Sequence, residues 1–152
     1  MDCGNPLYTS KEVNASLHIR KMRIRMIIAT LGLEPHWRGA VTVAGMLRDL
    51  GMEVLYIGNA YPGEIIRTAI QEGVDVVGVS TMTGAHLTLG SDLLQMAKQK
   101  SIRDKIVFTI GGIFPCNDIP KLQEVGFDCI FGPGARGQEI FTSIKIAVAA
   151  KK

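Results

Sequence analysis

Cysteine is scarce: Cys3, Cys116 and Cys129 are the only three in 152 residues. They lie far apart and form no C-x-x-C pair, which argues against a disulfide framework and against a structural zinc site. Long apolar runs are also missing. No stretch of ~18 residues is free of charge, so a membrane-spanning helix is excluded. Residues 1–13, MDCGNPLYTSKEV, hold no apolar segment of a secretory leader. A reducing cytoplasm is the expected setting. Charge of one sign does not dominate: 17 Lys and Arg against 14 Asp and Glu leave a net +3. The excess gathers over residues 18–25 and at Lys151-Lys152. With no interleaved aromatic residues and no basic helix, it reads as a solvated stretch, and no nucleic-acid partner is expected.

Several chemical fingerprints are absent too. There is no G-x-G-x-x-G, no Walker A and no G-x-S-x-G. A phosphoacceptor receiver domain needs acidic residues after the first strand and an Asp at the end of the third. Here those places hold Ala29-Thr30 and Ser80.

What remains is ordinary globular material, 47% apolar and 20% charged, which excludes intrinsic disorder for the body of the chain. The length predicts one domain. Residues 1–22 are polar and aperiodic and read as a tail; residues 23–152 read as the domain. Within it, strands are expected over residues 23–30, 53–57, 75–80, 105–110 and 128–131. Helices are expected over 39–50, 62–72, 87–100, 117–125 and 138–149. The helix over 39–50 places Val43, Met46, Leu47 and Leu50 on one face, with Gly51 to stop it. Pro62 sits near the start of the next helix and Gly73 at its end. The strand DVVGVS is nearly all apolar, as in a sheet covered on both faces. Strict alternation predicts an α/β doubly wound parallel sheet. Five strands favour the flavodoxin-like order 2-1-3-4-5.

In such a sheet, ligands sit at the carboxyl ends of the strands, at the switch point between strands one and three. The loop there reads Glu34-Pro35-His36-Trp37-Arg38-Gly39. Pro35 keeps Glu34 out of the helical region. In extended chain Glu34 and His36 then point to the same side. A carboxylate beside an imidazole fixes its tautomer and raises its basicity as a ligand. Read alone, the pair is equally open to being an exposed loop histidine with an unrelated Glu. The loop 80–86 is rich in small and hydroxyl residues, and Thr83 could simply cap a helix. Gly111-Gly112 follows strand four, and Phe131-Gly132-Pro133-Gly134 follows strand five. Glycines there permit close approach of a ligand, or only a turn.

Glu34-x-His36-x-x-Gly39, Ser80-x-Met82 and Gly111-Gly112 resemble the cobalamin-binding signature D-x-H-x-x-G, S-x-L, G-G. With Gly84-Ala85-His86 and Phe131-Gly132-Pro133-Gly134, nearly the whole chain from about residue 23 to 148 is similar to the cobalamin domain of methylmalonyl-CoA mutase and related acyl-CoA mutases. The resemblance implies a corrinoid bound base-off, with His36 as the ligand to cobalt and Glu34 on the other ring nitrogen. It implies a channel for the detached nucleotide tail lined by Ser80, Gly111 and Gly112. Arg38, Gly39, Met82, Gly84, Phe131, Gly132 and Gly134 are implied as further cofactor contacts. Substitution of a bulky residue at either Gly111 or Gly112 is expected to strike that tail.

The chain departs from the family pattern at three places. Glu34 stands for Asp, Pro35 for Gly, and Thr30 for a Lys that supports the Asp. A less rigid hold on His36 is the expectation. The implied function is that of a cobalamin-binding small subunit of an adenosylcobalamin-dependent acyl-CoA mutase. It would be inactive alone, with the substrate on a large barrel-type subunit. A corrinoid carrier or sensor, a glutamate-mutase-type small subunit, and a protein that kept the fold without the ligand are the alternatives. Methyl-transfer corrinoid proteins place a helical bundle before this domain, and only about 22 residues precede it here.

Overall fold

The computed structural model describes residues 23–152; the expected tail, residues 1–22, lies outside the described residues. Five strands form one sheet in the order β2-β1-β3-β4-β5: β1 (Arg25–Leu31), β2 (Glu53–Ala60), β3 (Val76–Thr81), β4 (Val107–Gly112) and β5 (Cys129–Phe131). Every pairing is parallel. Five helices connect or follow them: α1 (Trp37–Asp49), α2 (Pro62–Glu72), α3 (His86–Gln99), α4 (Ile119–Val125) and α5 (Gly137–Lys151). The expected strand order is the observed one.

The central strands are apolar on both sides because each face carries its own core. On one face α2, α3 and α4 bury Ile65, Ile66, Leu93, Leu94 and Leu122 against Ile27, Val77 and Phe108. On the other, α1 and α5 bury Ala44, Leu47, Ile140 and Ile144 against Met26, Ile28 and Val107. Each fully buried Leu or Ile contributes roughly 1.5–3 kcal/mol. The helix after β1 therefore covers one face and the helix after β3 the other. The chain parts between these two neighbouring strands, and a crevice opens at their carboxyl ends.

Element boundaries differ from the expectations for local reasons. β2 runs on to Ala60 because Gly58, at φ 76°, takes up an irregularity and pairing resumes at Thr30 with Asn59. Thr30 Oγ1 then donates to Asn59 Oδ1 at 2.5 Å. α1 begins at Trp37, with His36 as its cap residue. Thr83 does not cap α3, whose cap residue is Ala85 and whose cap makes no side-chain hydrogen bond. Gly73 closes α2 in the left-handed conformation at φ 59°.

Cys129 is a free thiol. Burial, with the Asp128 charge beside it, pushes that thiol up to about 12. No helix among the described residues is long and apolar enough to cross a membrane.

Candidate functional site

Glu34 and His36 leave the end of β1 on the two sides of Pro35. The Glu34 side chain is 0% exposed, while that of His36 is 53% exposed. His36 Nδ1 donates to Glu34 Oε1 at 2.5 Å, and the His36 backbone N–H donates to the same oxygen at 3.1 Å. The other oxygen accepts from the Met82 N–H at 2.7 Å and lies 3.4 Å from the Thr81 hydroxyl. The carboxylate thus ties the β1–α1 loop to the β3–α3 loop.

Burial alone would push the Glu34 carboxyl up. The Met82 amide and the His36 ring and amide outweigh it and hold the group well below its usual 4.5, at about 2. A fixed carboxylate on Nδ1 selects the tautomer with hydrogen at Nδ1 and leaves the Nε2 lone pair facing outward. One Glu34 carboxylate reaches both loops, taking the His36 ring on one oxygen and the Met82 N–H on the other. Thr30 is fully buried and turned to Asn59.

No group of three or more His, Cys, Asp or Glu gathers among the described residues. A bare metal ion therefore finds no cage there. A single outward imidazole nitrogen suits a metal whose other positions are filled by a cofactor.

A groove of about 230 Å³ lies between the sheet and the helices α1 and α5, reaching Gly39 and Met82 of the two loops that Glu34 joins. Its floor is apolar, with Met26, Ile28 and Gly78, and its upper wall is Ser80, Gly111 and Gly112. Of the expected site residues, Gly39, Met82, Phe131, Gly132 and Gly134 line it as well. Glu34, His36, Arg38 and Gly84 are not among the residues that line it. The Arg38 guanidinium sits 5.8 Å over the Trp37 ring, and Gly84 gives the β3–α3 loop its turn at φ 85°.

The two strand-end glycines serve different ends. Gly111 has open space: a Cβ there would come no closer than 3.7 Å to Phe131 O. Gly112 has φ 151°, and a Cβ would overlap the Thr81 carbonyl oxygen and stand 2.9 Å from the carbonyl carbon. Gly112 is required by the backbone itself, which corrects the equal treatment of the pair. Sequence reasoning missed the Met82 backbone donor, Ala135 of the groove, and the burial of His86. The apolar periodicity of α1 marks Val43 on its inward face, and Val43 lines the groove. The backbone donor at residue 82 carries no mark in the sequence.

Residues 24–141 match the B12 binding domain, and the chain belongs to that family. Among individual proteins it is similar to the 2-hydroxyisobutanoyl-CoA mutase small subunit of Aquincola tertiaricarbonis. The two are 38% identical over 129 residues, covering 84% of this chain and 94% of that protein. The pivalyl-CoA mutase small subunit of Xanthobacter autotrophicus is 33% identical over 126 residues, covering 82% and 83%. A cobalamin-binding protein from Desulfitobacterium hafniense shares the fold with a TM-score of 0.64 at 22% identity, over 71% of this chain and 52% of that one.

Proposed function

We propose that the chain is the cobalamin-binding small subunit of an adenosylcobalamin-dependent acyl-CoA mutase, working with a large subunit that holds the thioester. The cytoplasm is the setting we assign to it, on composition alone. The observation that carries the reading is the His36 ring: Nδ1 is committed to Glu34 while the side chain stays 53% exposed, on the same sheet edge as an apolar groove. Both named relatives that this chain nearly spans are small subunits of CoA mutases.

When bound, the cofactor supplies a cobalt–carbon bond whose homolysis starts radical hydrogen abstraction. This chain's residues bind and orient. His36 would ligate cobalt through Nε2. Glu34 keeps the ring in one tautomer and one orientation. The groove past Ser80 and Gly111 would take the nucleotide tail and keep it out of water. None of these groups holds a thioester, so rearrangement requires the large subunit.

The test is electron paramagnetic resonance of the Co(II) form. The wild type should show hyperfine splitting from one imidazole nitrogen, and His36→Ala should lose it. A splitting that persists in His36→Ala would mean another ligand is in use.

A further inference from the structure

His86 is the first residue of α3 and is 6% exposed. Its Nε2 faces Asp118 Oδ2 at 2.7 Å. Its ring meets that of Phe114, with centroids 5.4 Å apart and planes tilted by 35°. Its Nδ1 is buried and has no hydrogen-bond partner. A side chain selected only to fill space would not leave one nitrogen unpaired, because a buried polar atom without a partner is unfavourable. A leucine would fill the same position without that penalty. The imidazole is therefore retained for the one bond it makes.

That bond has a place in the site. The β3–α3 loop and the segment after β4 are joined at two points. At the near end, Thr81 pairs with Gly112, and the Ile113 N–H donates to the Thr81 carbonyl at 3.3 Å. At the far end, His86 binds Asp118, and Asp118 is held in turn by Lys121 at 3.0 Å. Between these anchors lies Met82, which holds the Glu34 carboxylate together with Thr81. Gly84, at φ 85°, is a pivot within the same stretch.

We propose that His86 is a positioning residue for the axial histidine. By fastening the far end of the loop to Asp118, it keeps the Met82 N–H on Glu34, and so keeps the His36 ring aimed. The inference rests on His36 being the cobalt ligand.

The test uses the full chain with cob(II)alamin as probe and three variants. His86→Leu removes the bond, His86→Gln restores an N–H at similar reach, and Asp118→Ala removes the acceptor. Two quantities are read: the fraction of cobalt showing the imidazole splitting, and the hydrogen-exchange rate of the Met82 amide in cofactor-free protein. In His86→Leu the amide should exchange at least ~10-fold faster. Cob(II)alamin affinity should fall ~10–100-fold, the range for losing a group that orients a metal ligand. The imidazole-ligated fraction should fall with it.

His86→Gln should recover most of both. Asp118→Ala should match His86→Leu, and the double variant should be no worse than either, since both cut one interaction. Should His86→Leu not fold, Asp118→Ala reads the same bond from the better-hydrated partner. An unchanged splitting and amide rate in His86→Leu or Asp118→Ala overturns the inference, as does a Gln variant as impaired as Leu. If the wild type itself lacks the splitting, the axial reading falls first. If the wild type shows it and His86→Leu retains it in full, only the role of His86 falls.

Discussion

Two adjacent glycines that look alike in the sequence should respond in opposite ways to one methyl group. At Gly112, φ is 151°, and the added Cβ would overlap the Thr81 carbonyl oxygen and lie 3.3 Å from the Thr81 nitrogen. Backbone cannot yield as a flexible side chain can, so β3 and β4 must part at their last pairing. A residue forced into a sparsely populated conformation costs ~1–3 kcal/mol before any displacement is counted. Each kcal/mol lowers the melting temperature of a domain this size by ~2–4 °C. Gly112→Ala should therefore lower the apo melting temperature by roughly 2–12 °C from the backbone conformation alone, and further as the strands part. At Gly111 the nearest atoms to a Cβ are Phe131 O at 3.7 Å and Phe131 Cβ at 3.9 Å, ordinary contact distances. Gly111→Ala should change apo stability by less than ~1 kcal/mol in either direction. Gly111→Val pushes its methyls into the groove, and cobalamin affinity should fall at least ~10-fold, or ~1.4 kcal/mol. Thermal melts of the apo variants and cobalamin titrations decide the matter. The reasoning is refuted if Gly112→Ala melts within ~2 °C of wild type. It is equally refuted if Gly111→Val melts as low as Gly112→Ala and binds normally.

Restoring the family pattern should damage the site. Glu34→Asp shortens the side chain by roughly 1.5 Å, so one carboxylate cannot keep both the 2.5 Å contact to His36 and the 2.7 Å contact to Met82. Cobalamin titration should show affinity ~10-fold weaker or more. Adding Thr30→Lys, at a position 0% exposed, should lower the apo melting temperature further by burying an ammonium group. Glu34 also governs acid stability. Its folded pKa of about 2 lies below the ordinary 4.5, so its stabilisation is complete above about pH 4.5 and is lost as pH falls toward 2. The apo melting temperatures of wild type and Glu34→Gln should differ most at neutral pH and converge through that window; a constant gap would contradict it. The Cys129 thiol, held up at about 12, should react with iodoacetamide at pH 8 at least ~100-fold more slowly in the folded chain than in urea, as expected for a buried, protonated thiol.

How much of this was legible before any coordinates follows the range of the interactions. Sheet order was readable, and the helix faces in part, because they rest on short-range periodicity: Leu47 is fully buried, while Leu50, expected on the same face, is 37% exposed just past the end of α1. Ser80, Gly111 and Gly39 were readable as groove residues because the fold puts all strand ends on one edge. The support of His36 was half readable. Glu34 lies two residues away and shares its side of an extended chain. Its other partner, the Met82 amide, lies 48 residues away, and a backbone N–H looks the same at every position but proline.

The same limit bears on the value of Glu34. Judged by its neighbours in sequence, a longer carboxylate without its lysine is a degraded orienter. Judged by where β3 ends relative to β1, the added methylene is what spans the two loops, because Thr30 pairs with Ser80 and the β3 chain then brings residue 82 across the switch point. Glu34 and the approach of Met82 form one solution to holding an imidazole, and neither half can be valued without the other. A double change, Glu34→Asp with Met82→Pro, puts this to the test, because proline removes the amide donor without adding a charge. If the two contacts act as one unit, the second substitution should weaken cobalamin binding much less in the Asp background than in wild type. Strictly additive losses would mean that Met82 and His36 draw on Glu34 independently, and the carboxylate would then be two separate ligands and not a brace between loops.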